Sequence, residues 1–153
     1  VQSGMLGEMT PCEPTSWRGQ LVREAEEAIE MISGAKTIVR YTGLYAAASL
    51  NRLLDPTFGA EIQSQAVSNR MHREDAVRLL SFVTESHLNQ VAVPELIHGV
   101  DTCSATYETI FARLAGEIAA LTPATEGRII VSRYRAQLPE LRYPSLDQVI
   151  GPS

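Results

Sequence analysis

Thr37-Ile38-Val39-Arg40-Tyr41-Thr42-Gly43-Leu44-Tyr45-Ala46-Ala47-Ala48-Ser49-Leu50-Asn51-Arg52-Leu53-Leu54 is the stretch on which the fold turns. Ile38, Tyr41, Tyr45, Ala48 and Leu53 share one broad side of a helix, and Val39, Leu44 and Leu50 add a second. A helix that is apolar around much of its circumference is a central one. Thr37 supplies an N-cap, and Asp55-Pro56 supplies a stop because the residue before proline avoids the helical region. The spacing therefore predicts a central helix over 37–54, and with it an all-α fold.

The neighbouring segments read the same way. Upstream, Thr15 or Ser16 caps a helix whose expected buried face is Trp17, Leu21, Ala25, Ala28, Ile29 and Ile32. Glu24, Glu26, Glu27 and Glu30 fall on its expected outer surface, and Gly34 is the expected stop. Downstream, Thr57 opens a short helix through Phe58, Ile62 and Ala66. Asn69 caps another from Arg70 to about Val91, with Met71, Val77, Leu80, Val83, Leu88 and Val91 as its stripe. Pro94 and Gly99 bracket one short turn, Glu95 to His98. Asp101 or Ser104 caps a long helix to about Leu121, with Cys103, Tyr107, Ile110, Leu114, Ile118 and Leu121 in register.

Thr122-Pro123 followed by Glu126 is a helix start, so residues 123–138 read as helix. The competing reading makes Arg128-Ile129-Ile130-Val131 a strand, because β-branched residues cluster there. A lone strand needs a partner, and no second strong candidate stands in the sequence. The expected architecture is an irregular antiparallel bundle of five to six helices over 16–138. An extended arm (1–15) precedes it, and a proline-bearing extended tail (139–153) follows.

Composition bounds the class. The chain has 153 residues, 44% hydrophobic and 20% charged, which suits one folded core and excludes a disordered or fibrous chain. Its net charge of -5 argues against a general nucleic-acid binder. No run approaches the ~20 apolar residues of a membrane helix, and the first residues lack a signal pattern. Cys12 and Cys103 read as free, hydrophobic thiols. The expected location is cytoplasmic or particle-associated.

Motifs for common chemistry are missing: no Gly-x-Ser-x-Gly, no Gly-x-Gly-x-x-Gly, no phosphate loop, no His-Glu-x-x-His. Glu95 and His98 have the Glu-x-x-His spacing of metal-binding bundles, and His87 is a third candidate ligand, but no second copy of the motif exists. Tyr41 and Tyr45 beside Ala46–Ala48 suit either a pocket or core packing. Arg128, Arg133, Arg135 and Arg142 give four bases against two acids between residues 126 and 142. With Tyr134 and Tyr143 they could meet nucleic acid, but pairing with the surplus Glu is the preferred reading.

These observations lead to the expectation of a non-enzymatic, cofactor-free assembly or adaptor subunit, homo-oligomeric or part of a larger complex. Trp17, Tyr134, Arg135, Leu141 and Tyr143 are its candidate contact residues, since aromatic residues and Arg are enriched in interfaces. A viral or phage coat-type protein is the nearest architectural analogy. The rival is a small helical-bundle enzyme or sensor, with a metal at Glu95, His98 and His87 or a small molecule between helices.

Overall fold

The computed structural model describes residues 3–54 and 64–150. It overturns the all-α expectation: the chain is a mixed α/β structure built largely on parallel strand pairs. The order begins with β1 (Gly4–Leu6), α1 (Trp17–Glu30), β2 (Ile38–Tyr41), β3 (Gly43–Tyr45) and α2 (Ala47–Leu50). A 3-10 turn (Asn51–Leu54), β4 (Val67–Ser68), β5 (Arg70–His72) and α3 (Arg73–Leu88) follow. Then come β6 (Leu96–Gly99), β7 (Ala105–Thr106), α4 (Tyr107–Leu114), β8 (Arg128–Ile130), a second 3-10 turn (Arg135–Gln137) and α5 (Asp147–Ile150). The short helix expected from Thr57 to Ala66 lies mostly outside the described residues.

Each strand pair joins distant parts of the chain. β1 runs parallel to β8, β2 to β6 and β3 to β5, while β4 and β7 are antiparallel. The expected central helix over 37–54 is therefore β2, β3 and two short helical turns. Ile38-Val39-Arg40-Tyr41 is rich in β-branched and aromatic residues, which suit a pleated surface. β2 is half-buried along its length and, Arg40 apart, apolar, and β3 adds Leu44 and the buried Tyr45, so the run lacks polar alternation and mimics an apolar helix. The 123–138 helix is likewise β8 followed by a 3-10 turn. Its missing partner is β1, inside the segment expected to be an extended arm.

The two long helices start close to where their caps stand. Ser16 Oγ accepts the Gly19 N–H at 3.1 Å and opens α1. His72 Nδ1 accepts the Glu74 N–H at 3.3 Å and opens α3, three residues later than Asn69 would place it. Glu74 and Asp75 in its first turn favour the helix's positive end. The expected faces fare worse. On α1 only Glu26 is buried, while Trp17, Leu21, Ile29 and Ile32 are exposed. On α3 the buried residues are Asp75, Ala76, Leu79, Val83 and Ser86, and Val77, Leu80 and Leu88 face out.

Two apolar clusters make the core. One gathers Tyr45, Leu50, Leu53, Ala105, Ile110, Leu121 and Leu146. The other gathers Met71, Ala76, Leu79, Val83, Ile97 and Leu138. Two carboxylates, the buried Asp75 and the half-buried Asp147, tie the C-terminal segment to them. Asp75 accepts the Arg142 and Tyr143 N–H groups at 2.9 and 2.8 Å. Asp147 accepts from Arg113 Nε at 3.0 Å and from the Leu121 N–H at 2.9 Å. Gly99 is required where β6 passes Tyr41, because a Cβ there would stand 2.5 Å from the tyrosine ring.

Candidate functional site

An open cleft of about 920 Å³ lies between α1 and strands β1, β2 and β8. Its wall includes Leu6 and Gly7 at the end of β1, Tyr41 to Gly43 at the end of β2, and Ile130 at the end of β8. The C-terminal ends of parallel strands are where open α/β sheets hold ligands, since the strand-to-helix connections diverge there. Its volume falls within the usual range for small-molecule sites, roughly 300–1,000 Å³.

The cleft is charged, and most of its charge is spoken for. Arg40 sits on β2 among apolar residues and reaches α1, where it forms a bidentate pair with Glu26 at 2.7 and 2.6 Å. Arg23 adds a longer contact to Glu26 at 3.7 Å and a hydrogen bond to Glu27 at 2.9 Å. The Arg40 hydrogen bonds hold the Glu26 carboxyl below its ordinary range, against the opposing effect of burial. The inner side of α1 is therefore its polar side, which explains why its apolar stripe points away.

Two other cations are uncommitted. Among the described residues, neither Arg18 nor Arg128 meets a carboxylate, and both line the cleft. Arg18 lies over its neighbour Trp17 at 5.4 Å. Asn69, also on the wall, braces this end: its side chain donates to the Arg128 carbonyl at 2.8 Å and accepts the Ile130 N–H at 2.6 Å.

Glu8, next to the cleft residue Gly7, anchors the strand that carries His98. Its carboxylate accepts the His98 N–H at 2.9 Å, the Ser132 hydroxyl at 2.7 Å and the Arg133 N–H at 3.0 Å. Burial would raise this carboxyl, but the three hydrogen bonds outweigh it and hold it below the ordinary carboxylate range. His98 pairs with Arg40 across β6 and β2, so both side chains share the sheet face beneath α1.

The residues expected from the sequence are scattered. His98 and Arg128 line the cleft. Glu95 is exposed at the foot of β6, and His87 Nε2 meets Thr37 Oγ1 at 3.0 Å on the far end of α3. Among the described residues no group of three His, Cys, Asp or Glu could hold a metal. Trp17 is exposed; Tyr134 and Leu141 pack against the second core cluster. Arg135 donates to the Pro139 carbonyl, and Tyr143 stacks on His72 with ring centres 3.9 Å apart. Arg133 lies over Tyr134, and Arg142 reaches Glu74 at 3.3 Å. Glu8, Arg18, Glu26, Arg40 and Asn69 were not foreseen. Arg40 alone carries a local signal, as a charge inside the apolar run Ile38–Tyr41.

A second polar group is sealed inside. Neither Asp101 oxygen nor Tyr45 Oη, all fully buried, has a hydrogen-bond partner. Burial pushes the Asp101 carboxyl up to about 8, with the dipole of the nearby Cys103 N–H, which lies outside hydrogen-bonding geometry, and the Arg70 charge opposing part of that rise. Burial, with Asp101 adding to it, also raises the Tyr45 phenol far above its ordinary value.

No protein-family profile matches the chain, and no curated protein sequence matches it. One solved structure does, a protein from Methylobacillus flagellatus described provisionally as an NAD-dependent epimerase/dehydratase. The likeness has a TM-score of 0.78 at 23% identity and covers 97% of this chain. It spans 57% of that protein's chain, so this chain corresponds to little more than half of its neighbour. The likeness shows the fold alone, a mixed α/β one. It overturns the expectation of a helical-bundle assembly or coat-type subunit, because the described residues form parallel strand pairs with helices and not a bundle. The rival bundle enzyme falls for the same reason. No helix among the described residues is long and apolar enough to cross a membrane.

Proposed function

We propose that this chain forms the substrate-binding part of an α/β enzyme of the epimerase/dehydratase kind, and that the cleft holds a small anionic molecule. One observation carries the reading: Arg18, on α1, and Arg128, at the start of β8, line the cleft without carboxylate partners among the described residues. Guanidinium groups match phosphate and carboxylate oxygens in bidentate geometry. The residues present do not fit the whole of a dinucleotide. The sequence contains no Gly-x-Gly-x-x-Gly to cradle its pyrophosphate. The chemistry ascribed to the chain is therefore binding and orientation.

Calorimetric titration with inorganic pyrophosphate tests this. Binding should weaken as salt rises and should fall about tenfold or more in Arg128→Ala and Arg18→Ala, a loss of about 1.4 kcal/mol or more each. Affinity indifferent to both substitutions would remove the reading.

Contact with a further protein surface, including a second copy, is a separate proposal. It rests on the outer side of α1, where Trp17 is 66%, Leu21 53% and Ile32 61% exposed. Light scattering on Trp17→Glu, Leu21→Glu should show a smaller species than the parent chain. An unchanged mass would count against this face as the contact.

A further inference from the structure

The three histidines differ in what their rings are committed to. His72 is buried, accepts the Glu74 N–H through Nδ1, and lies edge-on to Tyr45 and stacked on Tyr143. His87 presents Nε2 to Thr37 Oγ1, whose own proton goes to the Pro94 carbonyl at 3.0 Å. That leaves the hydroxyl oxygen as acceptor, so His87 carries its proton on Nε2. His98 is the reverse. Its Nδ1 stands 3.1 Å from the Val131 carbonyl, which can only accept, so Nδ1 bears the proton. Its Nε2 is left with a lone pair and, among the described residues, no partner.

The ring is also held and aimed. Glu8 fixes the His98 backbone N–H at 2.9 Å, and the Val131 carbonyl fixes the ring. The side chain lies beside Arg40 on the face that α1 covers, within the cleft wall. His98 is 7% exposed and meets the cleft, whereas Tyr45 Oη and the Asp101 oxygens are sealed in the interior. Besides Arg18 and Arg128, the cleft wall carries one anion without an ion-pair partner among the described residues, the exposed Glu13. Arg18 and Arg128 recognise negative oxygens, and neither can accept a proton from a ligand.

We propose that His98 is the hydroxyl-recognising residue of the cleft, its Nε2 accepting a hydrogen bond from an O–H of an anionic, hydroxyl-bearing ligand. The inference rests on the cleft reading above and narrows it from an anion to an anionic alcohol.

Two measurements test it. Long-range proton–nitrogen correlation on the parent chain at about pH 8, where histidines are ordinarily neutral, should show Nδ1–H for His98 and Nε2–H for His87. A His98 proton on Nε2 would overturn the proposal. Calorimetry then compares ribose 5-phosphate with inorganic phosphate, which share a head group but differ in hydroxyls. The parent chain should prefer ribose 5-phosphate by about tenfold, the worth of one good hydrogen bond. In His98→Phe that preference should vanish while inorganic phosphate still binds. A preference kept by His98→Phe, or equal binding of both phosphates to the parent chain, would overturn this inference alone. Failure of both to bind the parent chain would sink the cleft reading and this inference with it.

Discussion

Asp101→Asn should stabilise the protein, and by an amount that grows with pH. The Asp101 side chain lies in the interior with neither oxygen hydrogen-bonded. Burial lifts its carboxyl from the ordinary 3.8 to about 8. In the unfolded chain it ionises near its ordinary value, so rising pH favours unfolding between those two limits. The contribution to stability is fully present below about pH 4, declines as pH rises, and levels off near pH 8. Each unit is worth about 1.4 kcal/mol, which sets a ceiling of about 4 kcal/mol at pH 7. Water that reaches the carboxylate would lower it. Asn matches the shape of the neutral acid and does not titrate. Urea unfolding followed by far-UV circular dichroism, on both chains at half-unit steps, isolates the effect. The gap in unfolding free energy should be near zero at about pH 4 and widen steadily toward pH 8. A gap that is constant or shrinks over that range would refute the buried, unpartnered placement of Asp101.

Three further outcomes follow from the packing. Tyr45→Phe removes a sealed, unpartnered hydroxyl and should leave stability unchanged or raise it by about 1 kcal/mol in the same urea assay. Gly99→Ala places a Cβ against the Tyr41 ring and 3.1 Å from Met71 Sδ, and should cost about 1–3 kcal/mol; adding Tyr41→Ala should recover part of that overpacking cost. Glu8→Ala strands two backbone N–H groups and the Ser132 hydroxyl and should cost about 3 kcal/mol or more. Because the Glu8 carboxyl is held below its ordinary 4.5, its contribution is present above that value and lost as pH falls below it. Glu8→Gln should therefore flatten the acid limb of the stability curve.

Helix starts were legible in the residues, and strands were not. The Ser16 cap is a local signal and placed α1 correctly, while the α3 start fell three residues from the expected one. The strands depend on partners far away: Ile38 pairs with Leu96, and Gly4 with Arg128. The β-branched run at Arg128–Val131 was visible, but its partner is a three-residue strand containing Gly4 and Met5, which no propensity picks out. The faces of α1 misled for a different reason. Glu26 is buried because Arg40, fourteen positions away, turns the polar side of the helix inward. In the cleft, His98 and Arg128 stood out as chemistry-bearing residues, whereas Glu8 and Asn69 act through backbone groups that only the fold brings to them.

The cleft carries the account, and an amide-resolved NMR titration of the chain with inorganic pyrophosphate tests it most directly. Shifts confined to the cleft wall, at Gly7, Gly43, Asn69, His98 and Arg128, are the expected result. Shifts centred instead on the outer side of α3 or on the C-terminal segment, or none at all at millimolar pyrophosphate, about the weakest affinity worth attributing to a built site, would contradict it.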